Sequence, residues 1–216
     1  MSGINTTSPW PVAPGRFGTS KNNIHILENF IDVEDVKLVS DFARTIKDWA
    51  NAKEESEFDE NGVCIYDAEY WNNRQCSSQI LKKINPGVYE LIDTYIAKMG
   101  FYIEEAFNCT VSLRPPCIIR WFGGIEQQPH ADKQMPDGSP NPFPTYDINS
   151  LFYWNDDFEG GELYYPQHEV VIQPRPGLAV LHPGDIHYLH GVKPVISGER
   201  FTTPAFYSIE SFNDNE

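Results

Sequence analysis

Four residues in the carboxyl-terminal half of this 216-residue chain have the types and spacing of a metal site with an anion-binding group beside it. His130 and Asp132 are two positions apart, His190 follows about sixty residues later, and Arg200 stands ten residues beyond His190. Two imidazoles and one carboxylate can hold Fe(II) on three adjacent corners and leave three corners open. A guanidinium pairs well with a carboxylate, so we expect Arg200 to bind an anionic cosubstrate.

Strand periodicity explains how a His-x-Asp pair could meet one ion. Residues i and i+2 of a β-strand point to the same face, about 6–7 Å apart, so His130 and Asp132 would converge while Ala131 faces elsewhere. The alternative is a surface loop that holds a histidine near an aspartate by chance. His187 and His190 would face opposite sides of an extended strand, so only one of them can point at the metal. We select His190, because it alone of the nearby histidines directly precedes a Gly-Val pair, and expect His187 to lie behind the ligands or near the mouth of the site.

The region from residue 147 to residue 209 predicts a mainly β fold. Short runs of β-favouring residues alternate with turn signals, as in a sandwich or barrel, and do not show the longer period of βαβ units. A double-stranded β-helix, or jelly roll, is the natural closure of such a chain. The predicted strand segments are 147–155, 162–166, 170–172, 178–181, the segment that carries His190, and 201–209.

The stretch from Arg120 to Ser208 resembles the catalytic core of the Fe(II)/2-oxoglutarate-dependent oxygenases, in their prolyl 4-hydroxylase-like branch. Each matching motif is weak alone, but five in the family's order over some ninety residues are specific. They are Pro129-His130-Ala131-Asp132, Leu151-Phe152-Tyr153-Trp154-Asn155-Asp156, Gly160-Gly161-Glu162-Leu163, Pro176-Gly177-Leu178-Ala179, and His190-Gly191-Val192-Lys193-Pro194-Val195 with Gly198-Glu199-Arg200.

The resemblance implies a ligand set and a reaction. It assigns three catalytic iron ligands, His130, Asp132 and His190. It also implies that 2-oxoglutarate chelates the iron and extends its far carboxylate to Arg200, with the hydroxyl of Tyr153 beside it and Thr202 as a further hydrogen-bonding group. In this family O₂ and 2-oxoglutarate are cosubstrates, succinate and CO₂ are released, and a C–H bond is hydroxylated. Ascorbate is the expected reductant, so L-ascorbic acid binding is expected as well.

The substrate residues are less determined. In prolyl hydroxylases the connection after the iron pair covers the substrate, so the proline-rich segment 133–145 is expected to form a lid. Segment 53–74 is acidic in its first half and aromatic in its second, where Tyr70 and Trp71 could bind an extended, proline-containing peptide. Trp121 stands where many relatives place a tyrosine near the substrate, and Asn149 replaces a small residue. These departures leave the substrate in doubt.

Before the core the chain predicts helices and one domain. Asp32 is a plausible N-cap for a helix to about Trp49, and a second helix should run from about Pro86 to Met99, with Gly100 as its stop. Both present an apolar stripe that should pack on one sheet. We expect a flexible segment at residues 1–22 and a single oxygenase domain at 23–216, with helical support over about 23–100 and the jelly-roll core over about 108–210.

Composition limits the partners. The formal net charge is −15, which disfavours nucleic acid, because that affinity depends on neutralising phosphates with Lys and Arg. A peptide or protein substrate fits better. The amino terminus lacks a signal-peptide pattern and no apolar run is long enough to span a membrane, so we expect a cytoplasmic protein with no membrane partner.

Three hypotheses remain open at this point. The first is hydroxylation of a prolyl residue in a peptide or protein. The second is the same oxygenase chemistry on another side chain, a free amino acid or a small metabolite, which a small, closed pocket would favour. The third is a metal-binding jelly roll without catalytic turnover.

Overall fold

The computed structural model describes residues 12–47, 49, 57–58, 64–66, 68–71 and 73–213. Within them the helices are α1 (Val33–Thr45), α2 (Ala68–Trp71), α3 (Ser78–Ile84) and α4 (Pro86–Phe107), with 3-10 turns at Lys21–Asn23 and Ile186–Tyr188. The strands are β1 (His25–Leu27), β2 (Glu57–Phe58), β3 (Cys64–Tyr66), β4 (Gln75–Cys76), β5 (Cys109–Leu113), β6 (Ile118–Phe122), β7 (Gln127–His130), β8 (Ile148–Tyr153), β9 (Phe158–Gly160), β10 (Leu163–Tyr165), β11 (Val170–Ile172), β12 (Ala179–Pro183), β13 (His190–Val192) and β14 (Val195–Phe212).

Two antiparallel sheets form the core. The larger has the strand order β1-β12-β8-β14-β6-β4, with β5 and β9 also paired to β14, and the smaller has the order β11-β10-β13-β7. Side chains of both sheets meet in one apolar cluster that includes Ile119 and Val180 from the larger sheet and Leu163 and Val192 from the smaller. This architecture is a jelly roll, so the predicted mainly β fold is confirmed.

Alternation along the strands gives the larger sheet two different faces. On β14, Phe201, Ala205 and Tyr207 belong to the apolar cluster that the helices share. Arg200 and Thr202 have the opposite parity, and successive side chains of a strand point to opposite faces. Thr202 lines a cavity between the sheets. One strand therefore joins the helical layer to the interior of the roll.

The helices cover the outer face of the larger sheet, as predicted. Side chains of α1 and α4, among them Val39 and Ile96, lie in one buried cluster with Phe152 and Leu181 of that sheet. Asp32 occupies the N-cap position of α1, but the helix ends at Thr45, before Trp49. None of the helices in the described part of the chain is long and apolar enough to cross a bilayer.

The predicted stop of the second helix at Gly100 is wrong. Helix α4 continues through Gly100 to Phe107, and it ends at Asn108, whose φ of 50° and ψ of 55° are left-handed. A Cβ at Gly100 would lie 2.9 Å from Cδ2 of Leu113, so the glycine makes room for strand β5 against the helix. Close packing, and not termination, explains this glycine.

The amino-terminal residues that the structure describes contact the folded core. The ring of Phe17 packs edge-on against Phe107, with centroids 5.3 Å apart. The carbonyl oxygen of Val12 lies 2.9 Å from Nε2 of His187. Flexibility of residues 1–22 therefore stays a prediction: residues 1–11 lie outside the described residues, and within 12–22 it is Val12 and Phe17 that make these contacts.

Candidate active site

The register of two strands brings the predicted metal-binding side chains together. In the antiparallel pair of β7 and β13, His130 and His190 are directly opposite one another. Asp132 follows two residues after His130, and its backbone N–H donates to the Gly184 carbonyl at 3.0 Å. One potential ligand atom from each of the three side chains can be chosen so that all lie within 4.8 Å of one another. Three such atoms could bind one metal ion.

Hydrogen bonds fix which imidazole nitrogen faces the centre of this cluster. Nδ1 of His130 lies 3.0 Å from the carbonyl oxygen of Gln128, and Nδ1 of His190 lies 3.2 Å from that of Tyr188. A carbonyl only accepts, so each Nδ1 carries the proton and each Nε2 keeps a lone pair. The Nε2 atoms of His130 and His190 lie 3.6 and 3.4 Å from the carboxylate of Asp132. The lone pairs and the carboxylate thus share one small space.

Burial and the neighbouring charges give His190 and Asp132 protonation states that suit a metal, whereas at His130 burial is outweighed by the hydrogen bond and charge of Asp132, which raise the pKa of that ring above its ordinary value. Burial lowers the pKa of His190 well below its ordinary value, so the ring is neutral near pH 7. Burial alone would raise the pKa of Asp132, but His190 and His130 lower it more, and the carboxyl is ionised. Neutral imidazole and carboxylate are the forms that ligate cations.

Asn149, on β8 of the larger sheet, supports the Asp132 carboxylate from the opposite sheet. Its side-chain amide nitrogen donates a hydrogen bond to Oδ2 of Asp132. The amide oxygen of Asn149 is buried and has no hydrogen-bond partner among the described residues. The sequence singled out Asn149 as a departure from the family pattern, and the structure places it in contact with the candidate metal centre.

Arg200 is a fully buried cation. One of its terminal nitrogens, Nη2, lies 3.5 Å from the hydroxyl of Tyr153, which is the only hydrogen bond of its side chain within the described ranges. Nε and Nη1 have no partner there. Burial lowers the pKa of Arg200, although an arginine stays charged. Unpaired donors on a buried charge are costly, which is the condition that an anionic ligand would relieve.

A glycine makes room for this arginine. Gly161 has a φ of +70°, a conformation that favours glycine, and a Cβ built on it would lie 2.9 Å from Cδ of Arg200. Across the sheet, Arg200 on β14 is the direct partner of Trp121 on β6, and its guanidinium carbon lies 5.0 Å from the centroid of that ring. Glycine, tryptophan and Tyr153 together surround the cation.

A cavity of about 260 Å³ connects the metal-binding cluster to the neighbourhood of Arg200. Arg200 itself lies behind the wall that Trp121 and Thr202 form, since both of these line the cavity. Nε1 of Trp121 donates a hydrogen bond to Oγ1 of Thr202 at 3.1 Å, so the indole N–H has an acceptor and the threonine hydroxyl has a donor. The lining residues are Trp71, Gln75, Cys117, Ile119, Trp121, Gln127, His130, Asp132, Phe143, Tyr146, Asn149, Ser150, Leu151, Leu163, His182, His190, Val192, Thr202, Pro204 and Phe206.

The predicted substrate residues divide into two groups. Trp121 and Trp71 line the cavity, whereas Tyr70 stands behind Trp71 in an edge-on contact at 5.0 Å and donates to the carbonyl of Glu126. The acidic half of segment 53–74 contains Glu54, Glu55, Asp59 and Glu60, which lie outside the described residues. Binding of a peptide by the aromatic half of this segment stays a prediction.

The predicted lid, residues 133–145, is held against the roll. Nζ of Lys133 pairs with Oδ1 of Asp147 at 2.7 Å. At its far end Phe143 stacks on Tyr146 with centroids 5.0 Å apart, and Tyr146 stacks on Phe206 of β14 at 4.2 Å. The three rings form one aromatic wall of the cavity.

Sequence reasoning missed several residues of this site. The ring of His182 lies 4.2 Å from that of His190 and lines the cavity, and Tyr165 has a buried hydroxyl with no hydrogen-bond partner in the described part of the chain. The sequence alone does not reveal these contacts, because β12 and β10 come close to β13 only in the folded chain. His187 is not near the mouth: it is buried in a 3-10 turn, beside Asp185 and Val12.

The chain is similar to known oxygenases. Residues 118–208 match the family model described as the 2OG-Fe(II) oxygenase superfamily. No curated protein sequence matches the chain.

Solved structures of prolyl hydroxylases share the fold. The viral collagen prolyl hydroxylase of Paramecium Bursaria Chlorella virus-1, in complex with 2-oxoglutarate, is 16% identical, with a TM-score of 0.58 over 86% of this chain and 95% of that one. A prolyl hydroxylase of Trichoplax adhaerens, in complex with a hypoxia inducible factor peptide, is 17% identical, with a TM-score of 0.57 over 88% and 85%. A Pseudomonas putida prolyl-4-hydroxylase is 16% identical, with a TM-score of 0.56 over 86% and 92%.

Proposed function

We propose that this chain is a 2-oxoglutarate- and Fe(II)-dependent dioxygenase of the 2OG-Fe(II) oxygenase superfamily, whose family model matches residues 118–208, and that it hydroxylates a prolyl residue of a peptide or protein. The observation that carries the proposal is the pairing of two partly built sites on one cavity. At one end His130, Asp132 and His190 offer three ligand atoms, and beyond the other end Arg200 has unpaired donors.

In this proposal His130, Asp132 and His190 hold Fe(II). Two lone pairs and an ionised carboxylate fit that ion and leave corners free for other ligands. Together with 2-oxoglutarate and O₂, the iron supplies the oxidant for a C–H bond, and 2-oxoglutarate leaves as succinate and CO₂. Ascorbate is included as the reductant that keeps the iron ferrous.

Arg200, Tyr153 and Thr202 hold the far carboxylate of 2-oxoglutarate. The free N–H groups of Arg200 fit a carboxylate with two parallel hydrogen bonds, and the Tyr153 hydroxyl is already turned toward the guanidinium. The hydroxyl of Tyr165 is a further donor without a partner in the described ranges. Because Arg200 lies behind Trp121 and Thr202, these side chains must shift or open for the carboxylate to reach it.

Aromatic walls support a prolyl substrate. Phe143, Tyr146 and Phe206 form one wall and Trp71 and Trp121 belong to another, so the space near the metal ligands is bounded by flat, apolar rings. The similar solved structures are prolyl hydroxylases, and one of them holds a peptide. A negative net charge of −15 suits a neutral or basic peptide over nucleic acid.

One observation favours a second candidate, the same chemistry on a free amino acid or small metabolite. The cavity has a volume of about 260 Å³, and it must hold 2-oxoglutarate in addition to the substrate. That volume leaves room for one side chain or one small molecule beside the metal. Peptide and free amino acid must therefore be compared directly.

The test uses the full-length protein with Fe(II), ascorbate and 2-oxoglutarate. A proline-containing peptide library and free L-proline are incubated under air, and mass spectrometry scores the gain of one oxygen, +16 Da, alongside succinate release. We expect oxidation on proline in peptides, and we expect His130→Ala to abolish it, while Arg175→Gln, an exposed arginine paired with Glu28, serves as the matched control. Oxidation of non-prolyl side chains, or of free amino acids alone, would contradict the prolyl proposal and leave the oxygenase assignment standing.

A further inference from the structure

Arg74 is a second buried arginine beside the candidate active site. It precedes β4, at the edge of the larger sheet, and its carbonyl oxygen accepts a hydrogen bond from the backbone N–H of Arg120 on β6 at 2.7 Å. Its own N–H donates to the carbonyl of Trp71 at 3.0 Å. Only 1% of the residue is exposed. The backbone thus fixes where this cation lies.

Three aromatic rings surround its guanidinium. The guanidinium carbon lies 4.2 Å from the ring centroid of Tyr70, 4.8 Å from that of Trp71 and 4.4 Å from that of Trp121. Ring faces attract a cation, but they do not replace acceptors in the plane of the N–H groups. Nη1 donates to the Tyr70 carbonyl at 3.1 Å. Within the described ranges Nε and Nη2 have no hydrogen-bond partner, and no carboxylate there forms an ion pair with Arg74.

An unpaired buried cation needs an explanation, since buried charged groups are normally paired. Tyr70 interacts with the guanidinium through its side chain as well as its carbonyl. A purely structural explanation would also place a permanent acceptor on Nε and Nη2, and the described residues place none within hydrogen-bond distance of these two atoms. Three neighbours of Arg74 line the active-site cavity, namely Trp71, Gln75 and Trp121. The unpaired donors therefore lie one residue layer behind the wall of the cavity.

Arg74 is not the same site as Arg200. Both guanidinium groups contact the Trp121 ring, but Arg200 on β14 also contacts Tyr153, whereas Arg74, just before β4, also contacts Tyr70 and Trp71. The two cations are close enough that Arg74 contributes to lowering the pKa of Arg200. Under the proposed function one carboxylate of the cosubstrate satisfies Arg200. The donors of Arg74 remain unpaired.

We propose that Arg74, with Trp71 and Trp121 beside it, forms a second anion subsite that receives a carboxylate carried by the substrate itself. This inference rests on the proposed oxygenase function and names the class of its substrate: a molecule with a carboxylate a short distance from the carbon that is hydroxylated. Two sources have this chemistry. One is the terminal carboxylate of a free amino acid or chain end, and the other is an acidic side chain next to the target residue.

The test measures binding, so that it does not depend on turnover. Full-length protein is loaded with Fe(II) and saturating 2-oxoglutarate under argon and titrated with two matched pairs of ligands. N-acetyl-L-proline against N-acetyl-L-prolinamide probes a terminal carboxylate, and N-acetyl-Asp-Pro-amide against N-acetyl-Asn-Pro-amide probes a side-chain carboxylate. In at least one pair we expect the carboxylate to bind about tenfold more tightly, which corresponds to about 1.4 kcal/mol. The pair that shows the preference identifies the source.

Variants connect the preference to Arg74. Arg74→Gln is expected to reduce the affinity ratio to about one, and Arg175→Gln, a surface arginine, is expected to leave the ratio unchanged. Arg74→Lys keeps the charge without the planar fork, so a reduced preference is expected, and it replaces the glutamine variant if that protein does not fold. Thermal melting by circular dichroism checks folding.

The proposal is overturned if the wild-type ratios are near one in both pairs, or if Arg74→Gln keeps a tenfold preference. It is also overturned if Arg74→Gln weakens 2-oxoglutarate binding in the absence of the second ligand, because Arg74 would then belong to the cosubstrate site. Admitting air to the same complexes tests the proposed function separately. Tight binding of a carboxylate without a +16 Da product would refute prolyl hydroxylation of that ligand, and it would leave the anion subsite supported.

Discussion

Asn149 on β8 donates a hydrogen bond from its side-chain amide to the carboxylate of Asp132, which lies beyond the end of β7 on the opposite sheet. The bond ties the two sheets together at the candidate metal centre. It also orients an oxygen of Asp132 relative to His190, whose Nε2 lies 3.4 Å from that same oxygen. Side chains that orient metal ligands affect metal affinity strongly.

We therefore predict that Asn149→Ala weakens Fe(II) binding by about ten- to a hundredfold, the usual cost of losing such an orienting partner. Metal titration followed by the change in tryptophan fluorescence, under argon, measures this. Asn22→Ala, at an exposed position, is the matched control. Unchanged Fe(II) affinity in Asn149→Ala would show that Asp132 is oriented without this bond.

Arg200→Gln should raise the KM for 2-oxoglutarate by about ten- to a hundredfold, since hydrogen bonds to charged groups contribute about 1.5–3 kcal/mol. In the wild type, 2-oxoglutarate at a hundred times its Kd should stabilise the folded protein by about 2.7 kcal/mol, and at the same concentration the variant should keep about 1.4 kcal/mol of this if its Kd rises tenfold and about 0.4 kcal/mol if it rises a hundredfold. Succinate release and thermal melting measure the two effects. A variant with an unchanged KM would remove Arg200 from the cosubstrate site.

Gly161→Ala should disturb the cosubstrate pocket through Arg200. The added Cβ would lie 2.9 Å from Cδ of Arg200, and the φ of +70° adds backbone strain of about 1–2 kcal/mol. Gly124→Ala is a matched control, because Gly124 also has a positive φ, of +87°, with no atom within 4 Å of an added Cβ. Both variants should lose stability in chemical unfolding, but only Gly161→Ala should raise the KM for 2-oxoglutarate. An equal KM for the two variants would mean that Arg200 adapts freely.

His25 gives the stability of the metal-free protein a dependence on pH. Burial lowers its pKa below the ordinary value of 6.5, and its ring packs against Phe107 and Tyr102. The unfolded chain binds a proton near pH 6.5, whereas the folded protein binds it only at lower pH, so the unfolded state holds more protons between these values. Stability is therefore expected to fall as pH decreases below about 6.5.

Urea unfolding of wild type and His25→Phe between pH 7.5 and pH 5 measures this contribution. The variant keeps an aromatic ring but has no titrating group, so its free energy of unfolding should fall less over that range. Parallel curves for the two proteins would assign the pH dependence to other groups.

Part of the candidate site could be predicted from local rules. Strand alternation predicts that His130 and Asp132 lie on one side, although β7 ends at His130 and Asp132 follows it in a bend. The same alternation places Arg200 and Thr202 on a common face of β14, and the run-and-turn pattern from residue 147 onward predicted strands of the roll. The choice of His190 as the third ligand, by contrast, depended on the motif order that resembles an oxygenase family.

Contacts between distant strands could not be predicted in the same way. Asn149, Tyr165, His182 and Arg74 reach the site through the pairing order of the sheets, which one sequence does not display. The helix end predicted at Gly100 was wrong for a related reason. A glycine in a helical pattern can end a helix or make room for a close neighbour, and the position of Leu113 shows that Gly100 makes room.

Strand β14 carries residues of the helix-facing core and residues of the candidate site on one backbone. Phe201, Ala205 and Tyr207 of this strand pack in the cluster that the helices share, whereas Arg200, Thr202 and Phe206 have the opposite parity. A small shift of the helices against β14 would move the backbone that also carries Arg200 and Thr202, the groups proposed to bind the cosubstrate. Substitutions on the buried face of α4, far from the candidate metal ligands, are therefore expected to alter the proposed cosubstrate site without replacing any of its residues.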